Sequence, residues 1–295
     1  MLTNSADGLS RTMITADRAL IKSRLQRPAC LLSGRARRCL SYGQPISRRV
    51  MRLMTGRGCL DRLARLLWSI MATTQHFSPR LFKFLKELRA NNDRDWFAAN
   101  KQRFESDVRD PFLRFIADFA PLLHGISPSF VADPRPSGGS LFRIYRDIRF
   151  SQNKSPYKTH MAARFPHVNS GKEISAPGFY LHVEPGTSFI AAGVWHPDAR
   201  TLMRIRTAIA ERPDEWQAVR RSKLPIEGDR LAKPPRGFDP DHRFIEDLKL
   251  KDFVTSRTLS EKQVCNPRFI LDFAAGCRAM TPLMRFLVEA LDLDW

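Results

Sequence analysis

The spacing of the apolar residues changes twice along this chain, and that change limits the folds open to it. From residue 79 the period is helical, with Leu81, Leu85 and Leu88 recurring on one side. Ser78-Pro79 offers a cap residue and a proline at the first helical position, and Asn91-Asn92 breaks the run. A second helix is expected from Asp93 or Asp95, with Trp96, Phe97, Asn100 and Phe104 on one side. A third is expected from Asp110-Pro111, carrying Phe112, Phe115, Ile116, Phe119 and Leu123. Such stripes are what a helix needs to dock on a core.

After a loop over 125–140 the period falls to two. Residues 142–150, FRIYRDIRF, predict a strand. Phe142, Ile144, Ile148 and Phe150 would lie on one face with Arg146 among them, and Arg143, Tyr145, Asp147 and Arg149 on the other. A short strand around 162–167 precedes a hairpin in which Phe179, Leu181 and Val183 alternate with Tyr180, His182 and Glu184. Pro185-Gly186 turns the chain and residues 189–195 return. Helices are then expected after Asp198 and at Pro213, a long loop over 223–241, and a short helix near 244–250. A strand near 253–258 and a long helix from Asn266-Pro267, broken at Thr281-Pro282, end the chain. This order is not βαβ alternation. It implies an α+β fold: N-terminal helices, a central mostly antiparallel sheet and C-terminal helices.

Charge divides the chain differently. Residues 1–70 hold 14 Lys and Arg against 3 Asp and Glu, whereas residues 71–295 hold 35 against 27. The formal charge of +19 therefore splits into +11 and +8. Lys22 is the only lysine of the first segment, which has no histidine and carries Cys30, Cys39 and Cys59. A nucleic-acid or membrane arm and an organellar transit peptide are two readings of it. A phosphate-seeking arm has no reason to exclude lysine, so the favoured expectation is a disordered basic extension outside the natural protein, with the true start at Met71. Residues 71–295 are expected to form one α+β domain.

Several function classes are excluded. No uninterrupted apolar run reaches the length of a membrane span, and a cytoplasmic protein is expected. No CxxC pair, HExxH, Walker loop, GxGxxG after a strand or GxSxG elbow occurs. Cys265 and Cys277, in or beside an apolar helix, are expected to be inert thiols.

The richest segment is 143–160, RIYRDIRFSQNKSPYKTH. Arg143, Arg146, Arg149, Lys154 and Lys158 face one acid, Asp147, with Tyr157 and His160 close in sequence. Planar guanidinium forks and point cations suit a phosphate or carboxylate, so these eight residues are the candidate ligand site. The partner would be a phosphorylated small molecule or a nucleic-acid backbone. An enzyme using Asp147, Tyr157, Lys158 and a histidine for acid–base work, and a structural protein whose charges pair internally, are the alternatives. Asp147 among cations is expected to stay ionised and to organise the arginines rather than act as a base. On the hairpin, Tyr180, His182 and Glu184 share a strand face, and His160 and His196 lie near adjacent turns. With Asp147 or Glu184 they have the donors of a metal site, but no ligand-spaced motif is present, and no metal or cofactor is assigned.

The stretches RIYRDIRFSQNKSPYKTH, PGFYLHVEPGTSFIAAGVW and PPRGFDPDH resemble those of a widespread, mainly bacterial family of conserved proteins with a domain of unknown function. The resemblance runs from about Phe77 to about Leu291. One departure is Ser151-Gln152-Asn153-Lys154, where the family usually carries an acid before the lysine. An acid-dependent role at that loop is thereby put in doubt. The resemblance implies domain limits and brings no activity, substrate or residue roles.

Overall fold

Helix α1 (Pro79–Ala90) opens on its proline and buries Leu81, Leu85 and Leu88, together with Phe82 and Phe84. This computed structural model describes residues 74–170 and 176–295, so the expectation for residues 1–70 lies outside the described residues. The Asp93 carboxylate accepts the Trp96 N–H at 2.8 Å and starts α2 (Arg94–Ala99). Helix α3 (Lys101–Phe104) continues through a π-helical turn, Glu105–Arg109, into α4 (Asp110–His124). The whole predicted stripe of α4 is buried.

The sheet contains β1 (Met161–Pro166), β2 (Gly178–Val183), β3 (Ser188–Val194) and β4 (Phe253–Leu259), ordered β1-β2-β3-β4 and antiparallel throughout. Gly186, at φ +85°, turns β2 into β3. Gly193 has φ +142°, and a Cβ there would stand 2.0 Å from the Phe253 carbonyl oxygen, so only glycine lets β3 and β4 approach. Between β3 and β4 the chain forms α5 (Ala199–Glu211), α6 (Pro213–Arg221) and α7 (Ile245–Leu248). Asp198 caps α5 through the Thr201 N–H at 2.7 Å. Helices α8 (Glu261–Val264), α9 (Phe269–Ala279) and α10 (Thr281–Ala290) end the chain, with the expected break before Pro282. The architecture is α+β, with helices in the N- and C-terminal regions and a central antiparallel sheet.

One face of the sheet receives the helices. Phe119 of α4 meets Phe165 of β1 and Phe273 of α9 at 4.9 and 4.8 Å between ring centres, each burial stabilising the fold by about 1.5–3 kcal/mol. A second apolar cluster packs α5, α6 and α10 around Trp216, whose indole N–H donates to Asp247 at 2.8 Å. Cys277 lies in the first cluster, where burial pushes its thiol up, as expected of an inert cysteine.

The segment 142–150 is not a regular strand, which corrects the expectation from its alternation. It forms an extended arm held by isolated bridges, Leu141 to Ala163 and Tyr145 to Tyr157. The backbone N–H groups of Arg146 and Lys158 reach the carbonyls of Pro156 and Ile144 at 2.9 and 2.8 Å. Ile144 is buried, but Phe150, expected on the same inward face, is 93% exposed. The reason is local. The Asp147 carboxylate accepts the Arg149 backbone N–H at 3.2 Å and its guanidinium at 2.6 Å. Such short-range hydrogen bonds compete with a strand ladder. Among the described residues, no helix is long and apolar enough to cross a membrane.

Candidate functional site

The strand register assembles a site on the sheet face turned away from the main helical core. Met161 pairs with Val183 and Ala162 with His182, so His160, one residue before β1, falls opposite Glu184, one residue after β2. Period two places Tyr180, His182 and Glu184 on this same face. Phe189 of β3, paired with His182, stacks on its ring at 4.7 Å. The His160 and His182 ring centres are 4.4 Å apart. Phe142 of the arm meets Tyr180 at 6.2 Å and lies under the Lys158 ammonium at 5.3 Å.

Glu184 is the hub. Its carboxylate accepts from His182 Nε2 at 3.1 Å, Thr159 Oγ1 at 3.0 Å, Thr187 Oγ1 at 3.1 Å and Arg89 Nη2 at 2.9 Å. Burial raises its pKa, but the His182 hydrogen bond, the nearby imidazoles and the Thr159 hydroxyl outweigh that and hold it below the usual carboxylate range. An ionised carboxylate only accepts, so His182 donates from Nε2. The His182 Nδ1 meets the Tyr180 hydroxyl at 3.3 Å. Burial, then His182, Lys158 and Arg146, push His160 down to about 3, against the opposing pull of Glu184. His160 is therefore a neutral imidazole at physiological pH.

The residues singled out in 143–160 separate into two groups. Lys158, 8% exposed, lies over the Phe142 ring that meets Tyr180, and half-buried Arg146 is with it among the cations that lower the His160 pKa. The others stay on the arm or in the core. Arg149 is tied to Asp147, and that pairing, with the field of Arg143, holds the Asp147 carboxyl below its ordinary range. Arg143 is exposed. The Lys154 ammonium donates to the Ile148 carbonyl at 3.1 Å. Tyr157 is buried and stacks on Phe97 at 4.1 Å, its backbone held by the Asn92 side chain. His196 is paired with Asp252 instead of joining the site.

A model of the DUF2461 family, described as conserved hypothetical proteins, matches residues 80–286. The chain belongs to the DUF2461 family. No curated protein matches it. Within the DUF2461 chain, sequence reasoning had missed Arg89, Thr159 and Thr187. Nothing in the spacing of α1 signals that Arg89 reaches Glu184, 95 residues on. The triad of His160, His182 and Glu184 was legible only as a convergence that the β1–β2 register had to make.

Proposed function

We propose that this DUF2461 chain binds an anionic, phosphate-bearing small molecule where the arm meets the sheet face that carries His182, beside Arg146, Lys158 and His160. The observation that supports this reading is the withdrawal of two cations from solvent: Lys158 is buried with its ammonium 5.3 Å over the Phe142 ring, and Arg146 is half-buried. Glu184, the carboxylate of the same cluster, already accepts from four donors. In a partly desolvated site a cation attracts an anion more strongly than it does in water. A small ligand is favoured over a nucleic-acid backbone because the contributing cations are recessed. A polynucleotide would instead read the exposed Arg143, Arg149 and Lys154. A cytoplasmic setting belongs to the same proposal.

Phosphate titrated into the full chain is expected to raise its melting temperature by mass action, by about 2.7 kcal/mol of stability at a hundredfold excess over Kd. Lys158→Met and Arg146→Ala should abolish that gain, while Arg149→Ala keeps it. A wild-type protein whose melting ignores phosphate defeats the reading. Loss of the gain only in Arg149→Ala would move the site to the arm and favour the nucleic-acid backbone. A second reading, acid–base catalysis, is favoured by one observation: Glu184, His182 and Tyr180 form a continuous hydrogen-bonded chain.

A further inference from the structure

We propose that His160, His182 and Glu184 bind a first-row divalent transition ion, of the zinc or ferrous class, as a two-histidine, one-carboxylate centre. One ligand atom from each of the three lies within 4.8 Å of the other two. The closest pair, His182 Nε2 and Glu184 Oε2, is 3.1 Å apart. Two ligands about 2.0–2.1 Å from one tetrahedral ion stand about 3.3 Å apart, so this pair already has the right span and the wider separations, up to 4.8 Å, must close by at most about 1.5 Å. The donor set of imidazole and carboxylate suits zinc and iron rather than calcium or magnesium.

The surroundings match what such a centre needs beyond its ligands. Metal-bound carboxylates are themselves hydrogen-bonded, and Glu184 has Thr159, Thr187 and Arg89 on its oxygens. A ligating histidine holds its other ring nitrogen against a partner. His182 can bind the ion through Nε2 and carry its single ring proton on Nδ1, where the Tyr180 oxygen stands 3.3 Å away. The His160 ring makes no hydrogen bond among the described residues; its neighbour is the His182 ring at 4.4 Å. Three protein ligands leave a fourth position open, as in catalytic rather than structural sites. The metal inference stands without the phosphate reading, because metal and phosphate are titrated separately.

The test uses the full chain with Cys30, Cys39 and Cys59 replaced by Ser, which removes the thiols of the N-terminal segment as competing ligands. Cobalt(II) titrated without phosphate should bind at one equivalent with the visible absorption of a four- or five-coordinate nitrogen–oxygen site. His160→Ala and His182→Ala should each weaken binding at least tenfold, by about the loss typical of a disturbed metal shell or more, while His196→Ala leaves it unchanged. X-ray absorption on the zinc-loaded chain carrying only the three serine replacements reads the ligands even if a histidine variant fails to fold, and two imidazoles with no sulfur are expected. Absence of a bound equivalent, sulfur ligation, or affinity indifferent to His160→Ala overturns the proposal. Metal binding with no phosphate response leaves this centre standing and defeats the anion reading alone.

Discussion

The arm at 142–155 and the sheet corner around Glu184 carry similar side chains in opposite surroundings. On the arm the charges are dense and answer one another at the surface: Asp147 holds Arg149, and Lys154 holds a nearby carbonyl. At the corner the charges are few, but Glu184 and Lys158 are buried and every oxygen of the carboxylate is used. Charge density along a sequence therefore marks where solvent is met. Chemistry is set by where a charge is withdrawn from solvent and what it must then bind. A solvated ion pair is screened and weak, whereas a buried hub fixes the positions of everything that donates to it.

The largest effect is expected at that hub. Glu184→Ala removes the acceptor of four donors, two of them within the strand and turn that shape the site. A cost of about 3 kcal/mol is expected, from buried donors left without partners. Melting should fall by roughly 6–12 °C for a domain of this size. Glu184→Gln keeps a carbonyl acceptor and should lose less. Melting unchanged in Glu184→Ala would mean that the corner is no more built than the arm.

Asp147 offers the contrasting measurement. Its carboxyl is held below the ordinary range by the Arg149 hydrogen bonds first, so the folded pKa lies under the unfolded value of about 3.9. A depressed carboxyl contributes stability that is present above the unfolded pKa and is lost as pH falls through the folded one. Asp147→Asn and Asp147→Ala should both lose a small increment of stability at neutral pH, well below the loss in Glu184→Ala, and converge on wild type as pH falls below about 4, which flattens the acid limb. Ala should be the worse of the two, since Asn can still accept the Arg149 backbone N–H. A loss at pH 7 matching that of Glu184→Ala would erase the distinction between the two regions.

Much of the fold was legible because it depends on short-range signals. The caps at Asp93 and Asp198, the Pro185-Gly186 turn and the stripe from Phe112 to Leu123 each fix an element by their own chemistry. The candidate site was legible in part. Tyr180, His182 and Glu184 were placed on one face by period alone, and Lys158 and His160 were singled out by proximity to the basic run. What the sequence could not supply was long-range. The register that sets His160 across from Glu184 depends on β1–β2 pairing, and the reach of Arg89 depends on how α1 packs. The arm was misjudged for a different reason. Alternation in FRIYRDIRF satisfies the strand pattern, but a carboxylate two residues before an arginine can close on itself and take the ladder's N–H.

The smallest effect separates those two descriptions of the arm. If 142–150 were a half-buried strand, Phe150 would close its apolar face, and replacing it with serine would forfeit about 1.5–3 kcal/mol of burial. In the observed arm Phe150 is 93% exposed, and its ring partner among the described residues is the Arg149 guanidinium, 5.8 Å away. An exposed cation–π pair contributes at most about 0.5–1 kcal/mol. Phe150→Ser is therefore expected to leave the melting temperature within a degree or two of wild type, while Ile144→Ser, on the buried side of the same segment, lowers it clearly. Equal losses at both positions would show that the arm closes onto the sheet as a strand in solution. Arg143, Asp147 and Arg149 would then share one face, and the anion site would have to be sought there rather than beside His160.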